Sequence, residues 1–200
     1  MYYAANMVND MGVQQPLKWV QSFPLGSNDV TLADLALMYQ TFLTGKTYRY
    51  FNTAQPNQLL LIKRIEDASG NLLWEAKAKE YQFSDNFYSP PTLNTLRGTV
   101  TAGTAFVLNK SMILRSNKDD IDKQLLTSQI KIPVFGKTGT TNDYKNGTYV
   151  GFLPYPVDKG DSLSPDNAYT IASYIGYDSN DPMVRKGYRV YGGGAIPAWE

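Results

Sequence analysis

The sequence predicts an α+β fold, with helices and one hairpin first and antiparallel strands after them. Two observations carry this. Apolar residues recur at helical spacing before residue 110, and after residue 129 the pattern changes to three strand-like runs. The links between those runs are short, whereas a parallel pair needs a crossover of roughly a dozen residues or more. The chain has 200 residues, 42% hydrophobic and 18% charged, enough apolar material for a real core and not the composition of a disordered chain.

Residues 2–11 read as the end of a helix closed by Gly12. Thr31 opens the next helix, with Asp34 three residues on as in a capping box, and Gly45 ends it. Between them Leu32, Leu35, Ala36, Tyr39 and Phe42 recur at helical spacing, most simply a face packed on the core. Residues 59–65 and 72–74 read as a β-hairpin around the turn at 67–71. Pro90-Pro91 starts a helix over residues 92–109, interrupted near Gly103. Residues 115–128 are polar and read as loop or short helix. Residues 130–140, 148–154 and 168–177 then read as strands, and a last helix begins near the tail. No internal repeat divides the chain, and residues 1–200 fit one domain or a large piece of one.

Composition excludes several function classes. There is no histidine and no cysteine, so a Ser-His-Asp triad, Cys-His pairs, thiolate zinc and iron–sulfur clusters cannot be built from this chain. Polar chemistry would fall to Ser, Thr, Tyr, Lys or carboxylates, and a hydroxyl nucleophile served by lysine is the histidine-free route. Nineteen basic and eighteen acidic residues leave a net charge of +1, with no footprint for nucleic acid. No stretch is long and apolar enough to cross a bilayer, and the first residues lack the basic and apolar regions of a signal peptide.

The informative stretch is Ile132-Pro133-Val134-Phe135-Gly136-Lys137-Thr138-Gly139-Thr140-Thr141-Asn142-Asp143-Tyr144. In a strand, Lys137 and Gly139 share one face and Thr138 and Thr140 the other. An ammonium and hydroxyls all donate, which suits a carboxylate ligand, and Gly139 leaves room for close approach. An edge strand could also pair with a peptide through its main chain. On these grounds alone, an exposed strand end with a solvated lysine stays equally open.

The run from Gly136 to Tyr144 resembles the Lys-Thr-Gly signature of class A penicillin-binding proteins. The flanks resemble the same family in collinear order: Leu25-Gly26-Ser27-Asn28-Asp29-Val30-Thr31 and its helix, Arg97-Gly98-Thr99-Val100-Thr101-Ala102-Gly103-Thr104-Ala105, Val150-Gly151-Phe152, Tyr174-Ile175-Gly176-Tyr177-Asp178, and Gly193-Gly194-Ala195-Ile196-Pro197-Ala198-Trp199. One departure is Asn146-Gly147-Thr148-Tyr149, where the family often has an Asp-Ala-Trp-Phe-like run. The resemblance implies the C-terminal portion of a serine transpeptidase/β-lactamase-like fold, an antiparallel sheet flanked by helices.

Two further matches are set aside. Ser128-Gln129-Ile130-Lys131 has Ser-x-x-Lys spacing, but it stands directly ahead of the Lys137 strand with no room for the required helix. Ser84-Asp85-Asn86 spells the second signature, but its place in the collinear order makes it a loop. The resemblance therefore implies that the nucleophilic serine, its lysine base and the second signature lie on a preceding segment, and that this chain alone is inactive.

For the complete relative, the resemblance implies a D,D-transpeptidase that cross-links peptidoglycan stem peptides through an acyl-serine and is trapped by β-lactams. Lys137 would act catalytically by supplying positive charge and assisting proton movement. Thr138, Gly139 and Thr140 would bind substrate, with the Thr140 N–H as one oxyanion donor. No cofactor or metal is implied. The expected surroundings are the cell envelope, outside the cytoplasm, with an upstream glycosyltransferase domain and a membrane anchor. A carboxypeptidase or β-lactamase of the same superfamily, or a non-catalytic peptidoglycan-binding module, are the alternative readings.

Overall fold

The computed structural model describes residues 2–51, 59–83, 89–157 and 162–200 and divides the chain into two units, Met1–Tyr88 and Ser89–Glu200. The fold class is α+β, as the sequence predicts, with every strand pair antiparallel.

In the first unit, α1 (Tyr2–Asp10) is followed by α2 (Leu32–Thr44). The expected capping box is present: the Asp34 N–H donates to Thr31 Oγ1 at 3.0 Å, and the Thr31 N–H donates to Asp34 Oδ2 at 3.2 Å. Two of the helix's orphan donors are thereby satisfied, and left-handed Gly45 closes the other end. α2 turns Leu37, Tyr39, Thr41 and Leu43 inward. Burial pushes the Tyr39 hydroxyl up to about 12.

The hairpin is shorter than its apolar run suggests. β2 is Arg64–Glu66 and β3 is Leu72–Glu75, so residues 59–63 are not strand. β3 has only enough residues to reach Arg64, and the Ala76 N–H donates to the Lys63 carbonyl as the chain leaves the pair. It then enters β4 (Ala78–Gln82), which pairs with β1 (Lys46–Tyr50), a sheet the sequence reading did not foresee.

The second unit holds α3 (Ser89–Thr101), α4 (Phe106–Ser111), α5 (Asp119–Ser128) and a three-stranded sheet of order β5-β6-β7. Its strands are β5 (Phe135–Thr140), β6 (Asn146–Val157) and β7 (Ser162–Gly176). β5 starts five residues later than the sequence reading placed it. Pro133 has no N–H to give a ladder, and residues 130–132 pair back with 112–114 instead: Leu114 N–H to Ile130 O at 2.8 Å and Ile132 N–H to Met112 O at 3.0 Å. Within the polar segment 115–128, residues 119–128 form α5. Asp119, Asp120 and Asp122 fill its first turn, where the helix dipole favours negative charge. Arg115 grips Asp122 with two bonds of 2.7 Å and holds its carboxyl at about 2.

A small hairpin, β8 (Val184–Arg185) and β9 (Tyr188–Arg189), turns through Lys186 and Gly187 with positive φ at both, the torsion sign of a type I′ turn. The chain ends in a 3-10 turn, Gly192–Ala195, and α6 (Ile196–Trp199). One face of the sheet carries the core. Tyr149 sits there with Val100, Ala105, Leu108, Val134, Ala195, Ile196 and Trp199. The Tyr149 and Trp199 rings meet edge to face, and Trp199 donates its indole N–H to Ile171 O at 3.0 Å. This packing holds β5 in place.

Candidate functional site

Among the described residues, β5 is an edge strand of its sheet, paired with β6 alone. Register fixes its faces. Thr138 stands opposite Tyr149, whose ring is in the core, so Thr138 and Thr140 lie on the helix-covered face. Lys137 and Gly139 stand opposite Val150 and Thr148 on the other face.

The outer edge of β5 is dressed at every second residue. Arg97 Nη1 donates to the Val134 carbonyl at 3.2 Å, and the Thr99 hydroxyl donates to the Gly136 carbonyl. Lys137, which is exposed, curls over and donates to the Thr138 carbonyl at 2.8 Å. Alternation in a strand then turns the N–H and C=O of Thr138 and Thr140 away from β6 as well. α3 covers the first half of this edge. The second half, at Thr138 and Thr140, is left to Lys137.

Each threonine hydroxyl has a partner behind it. Thr138 Oγ1 lies 2.6 Å from Thr104 Oγ1, in the break between α3 and α4. Thr140 Oγ1 accepts the Gly192 N–H at 2.8 Å. Gly139 and Gly192 approach backbone to backbone. A Cβ on Gly192 would lie 2.9 Å from the Gly139 carbonyl carbon and 3.0 Å from its nitrogen, closer than carbon atoms pack. A Cβ on Gly139 would lie 2.5 Å from Thr148 Oγ1 on the opposite face. Glycine at 192 lets the 3-10 turn lie directly on β5, and glycine at 139 leaves room for Thr148 on the other face.

The strand then turns through Asp143 and Tyr144, both with positive φ. The turn is tied to the C-terminal segment at three points. The Tyr144 ring meets Tyr191 edge to face at 5.2 Å, Arg189 donates to the Tyr144 hydroxyl at 3.2 Å, and the Met183 N–H donates to Tyr144 O at 2.9 Å.

The four residues singled out from sequence thus share six residues of one edge strand, but the strand plane separates Lys137 from the two threonines. The sequence reading gave no role to Thr104, Thr99, Arg97 or Gly192, the residues that support the site. Gly103 before Thr104 and the triplet Gly192-Gly193-Gly194 were the available signals, since glycine clusters mark breaks and close approaches.

Ser128 is the last residue of α5, and Gln129 turns left-handed at φ 51°. Lys131 lies in an extended bridge with Ile113, so Ser128 and Lys131 share no helix face. Ser84-Asp85-Asn86 lies outside the described residues. Among the described residues, no His/Cys/Asp/Glu group could hold a metal ion, and no helix is long and apolar enough to cross a membrane.

No family model matches the chain. Two curated proteins are similar to it. One is Penicillin-binding protein 1A of Clostridium novyi, 25% identical over 162 residues, covering 76% of this chain and 17% of that protein. The other is Penicillin-binding protein 1A of Aquifex aeolicus, 28% identical over 185 residues, covering 92% of this chain and 19% of that protein. The chain spans less than a fifth of the length of either relative. A match spanning 92% of 200 residues necessarily takes in Lys137–Thr140, which lies far from both ends. Along most of its length, this chain is similar to a segment of penicillin-binding protein 1A.

Proposed function

We propose that this chain is the substrate-strand portion of a penicillin-binding transpeptidase domain, and that the β5 edge holds the C-terminal carboxylate of a D-Ala-D-Ala stem peptide. One observation carries the reading. Two threonine hydroxyls two residues apart are each backed by a protein group, beside the strand edge to which the Lys137 ammonium is folded. That arrangement concentrates donors and one positive charge where an extended peptide would end. The similarity to penicillin-binding protein 1A supports it.

In this reading Thr138 and Thr140 donate to the carboxylate, and Lys137 supplies positive charge and assists proton movement. Gly139 permits the backbone to come close. The Thr140 N–H, on the outer edge, is one oxyanion donor, the kind of group whose removal costs about 2.7–4 kcal/mol at a transition state. The attacking serine, its lysine and the second signature come from a preceding segment, along with a glycosyltransferase domain and a membrane anchor that place the protein in the cell envelope. β-Lactams mimic the substrate on the same strand. No cofactor or metal takes part.

The test is titration of the chain with diacetyl-L-lysyl-D-alanyl-D-alanine, followed by amide chemical shifts. Saturable shifts along β5 that disappear in Lys137→Ala support the proposal. Unchanged binding in Lys137→Ala and Thr138→Val refutes it. Fluorescent penicillin should leave the chain unlabelled, and covalent labelling at Ser84 or Ser128 would overturn the assignment of the nucleophile to another segment.

A further inference from the structure

Thr104 differs from the other threonines around it. Thr95 and Thr101 send their hydroxyl protons back to carbonyls of their own helix, as mid-helix threonines do, and Thr99 reaches both its own helix and Gly136. Thr104 stands past the end of α3. Among the described residues its hydroxyl has one partner, Thr138 Oγ1 at 2.6 Å. Two hydroxyls at that distance share one proton in the gap, and either oxygen could supply it.

Thr140 indicates which. It lies two residues from Thr138 on the same face, and its oxygen already accepts the Gly192 N–H. Its own proton is therefore free to point away from the protein. Thr138 can present its proton in the same way only if its oxygen accepts from Thr104. Resting on the reading of β5 as the carboxylate-holding strand, we infer that Thr104 is a positioning residue. It donates to Thr138 and so leaves the hydroxyl protons of both Thr138 and Thr140 for a single ligand carboxylate. The backbone N–H of Gly192 and the hydroxyl of Thr104 then play equivalent parts, one behind each ligand-facing threonine.

The experiment is an amide-shift titration of the full 200-residue chain with diacetyl-L-lysyl-D-alanyl-D-alanine and, separately, with its C-terminal amide. The acid should bind more tightly than the amide. Thr104→Val should weaken the acid by roughly three- to tenfold, the scale of one lost hydrogen bond, and leave the amide unchanged. Thr104→Ser, which keeps the hydroxyl, should restore the acid. In a Thr138→Val background, Thr104→Val should add nothing further.

If Thr138→Val weakens the acid while Thr104→Val does not, the inference is overturned and the strand reading stands. Equal loss of acid and amide in Thr104→Val marks a structural disturbance and also overturns it. If Thr138→Val has no effect, or the unsubstituted chain binds acid and amide alike or neither, both the strand reading and the inference fall.

Discussion

Gly192→Ala is the sharpest test of how β5 is held. The added Cβ would stand 2.9 Å from the Gly139 carbonyl carbon, and closer still to its oxygen. Carbon atoms pack at about 3.5–4.0 Å, so the 3-10 turn must retreat by roughly 0.6–1 Å. The obstructing atoms are backbone, so no side chain can rotate out of the way. The Gly192 N–H to Thr140 Oγ1 bond, now 2.8 Å, would open beyond the roughly 3.2 Å limit of a good N–H···O bond. Overpacking costs about 1–3 kcal/mol and a lost hydrogen bond about 0.5–1.5, so the second unit should lose roughly 2–4 kcal/mol.

Native-state hydrogen exchange on the β5–β6 amides reads that unit specifically. The control is Gly98→Ala, in the exposed interior of α3, where a Cβ meets nothing within 4 Å. It should stabilise by about 0.5–1 kcal/mol, because alanine loses less backbone freedom in a helix than glycine does. Gly139→Ala should fall between the two, since its clash is with the Thr148 hydroxyl, which can rotate. Unchanged exchange in Gly192→Ala, or equal losses in Gly192→Ala and Gly98→Ala, would refute the backbone-approach argument.

Three other outcomes follow from the packing and charges. Thr31→Ala removes the oxygen that accepts the Asp34 N–H and should cost about 1 kcal/mol in the first unit, measured by exchange of the α2 amides. Leu108→Ala empties a fully buried site and should cost about 2–5 kcal/mol by urea unfolding. Asp122 is held at about 2, below its ordinary 3.8, by hydrogen bonds from Arg115 first and the Ser116 N–H second. A depressed carboxyl stabilises the fold above its unfolded value, so this contribution should fade as pH drops from about 4 to about 2. Asp122→Asn should flatten that part of the pH profile of α5 exchange.

Much of this was legible in the sequence wherever local chemistry decides the outcome. The Thr31–Asp34 box, Gly45 and the break at Gly103 are read from neighbours within a turn or two. The alternation that parts Lys137 from Thr138 is likewise a property of any strand. What escaped depends on partners distant in the chain. β1 is an unremarkable run of Lys46-Thr47-Tyr48-Arg49-Tyr50 until β4 arrives beside it. Pro133 shortens β5 because segment 112–114 is there to take up residues 130–132. Thr104 and Gly192 stand 34 and 52 residues away from the threonines they meet, and no spacing rule connects them.

The separation of Lys137 from the threonines makes the site an edge rather than a face. Both groups can reach one ligand only at the rim of β5, where Lys137 now donates to the Thr138 carbonyl. That is a main-chain group an added strand would use, so under the proposed function a bound peptide would displace the ammonium and receive it in turn. The present bond should be weak, because it is exposed and fixes a long side chain; surface contacts of this kind contribute about 0–1 kcal/mol. Lys137→Met should therefore change unfolding by less than about 0.5 kcal/mol while removing a charge-assisted bond worth about 1.5–3 kcal/mol to a bound carboxylate. Urea unfolding and peptide titration of the same variant separate the two effects. A loss of stability larger than the loss of binding would make Lys137 a brace for the strand edge rather than a group held ready for a ligand.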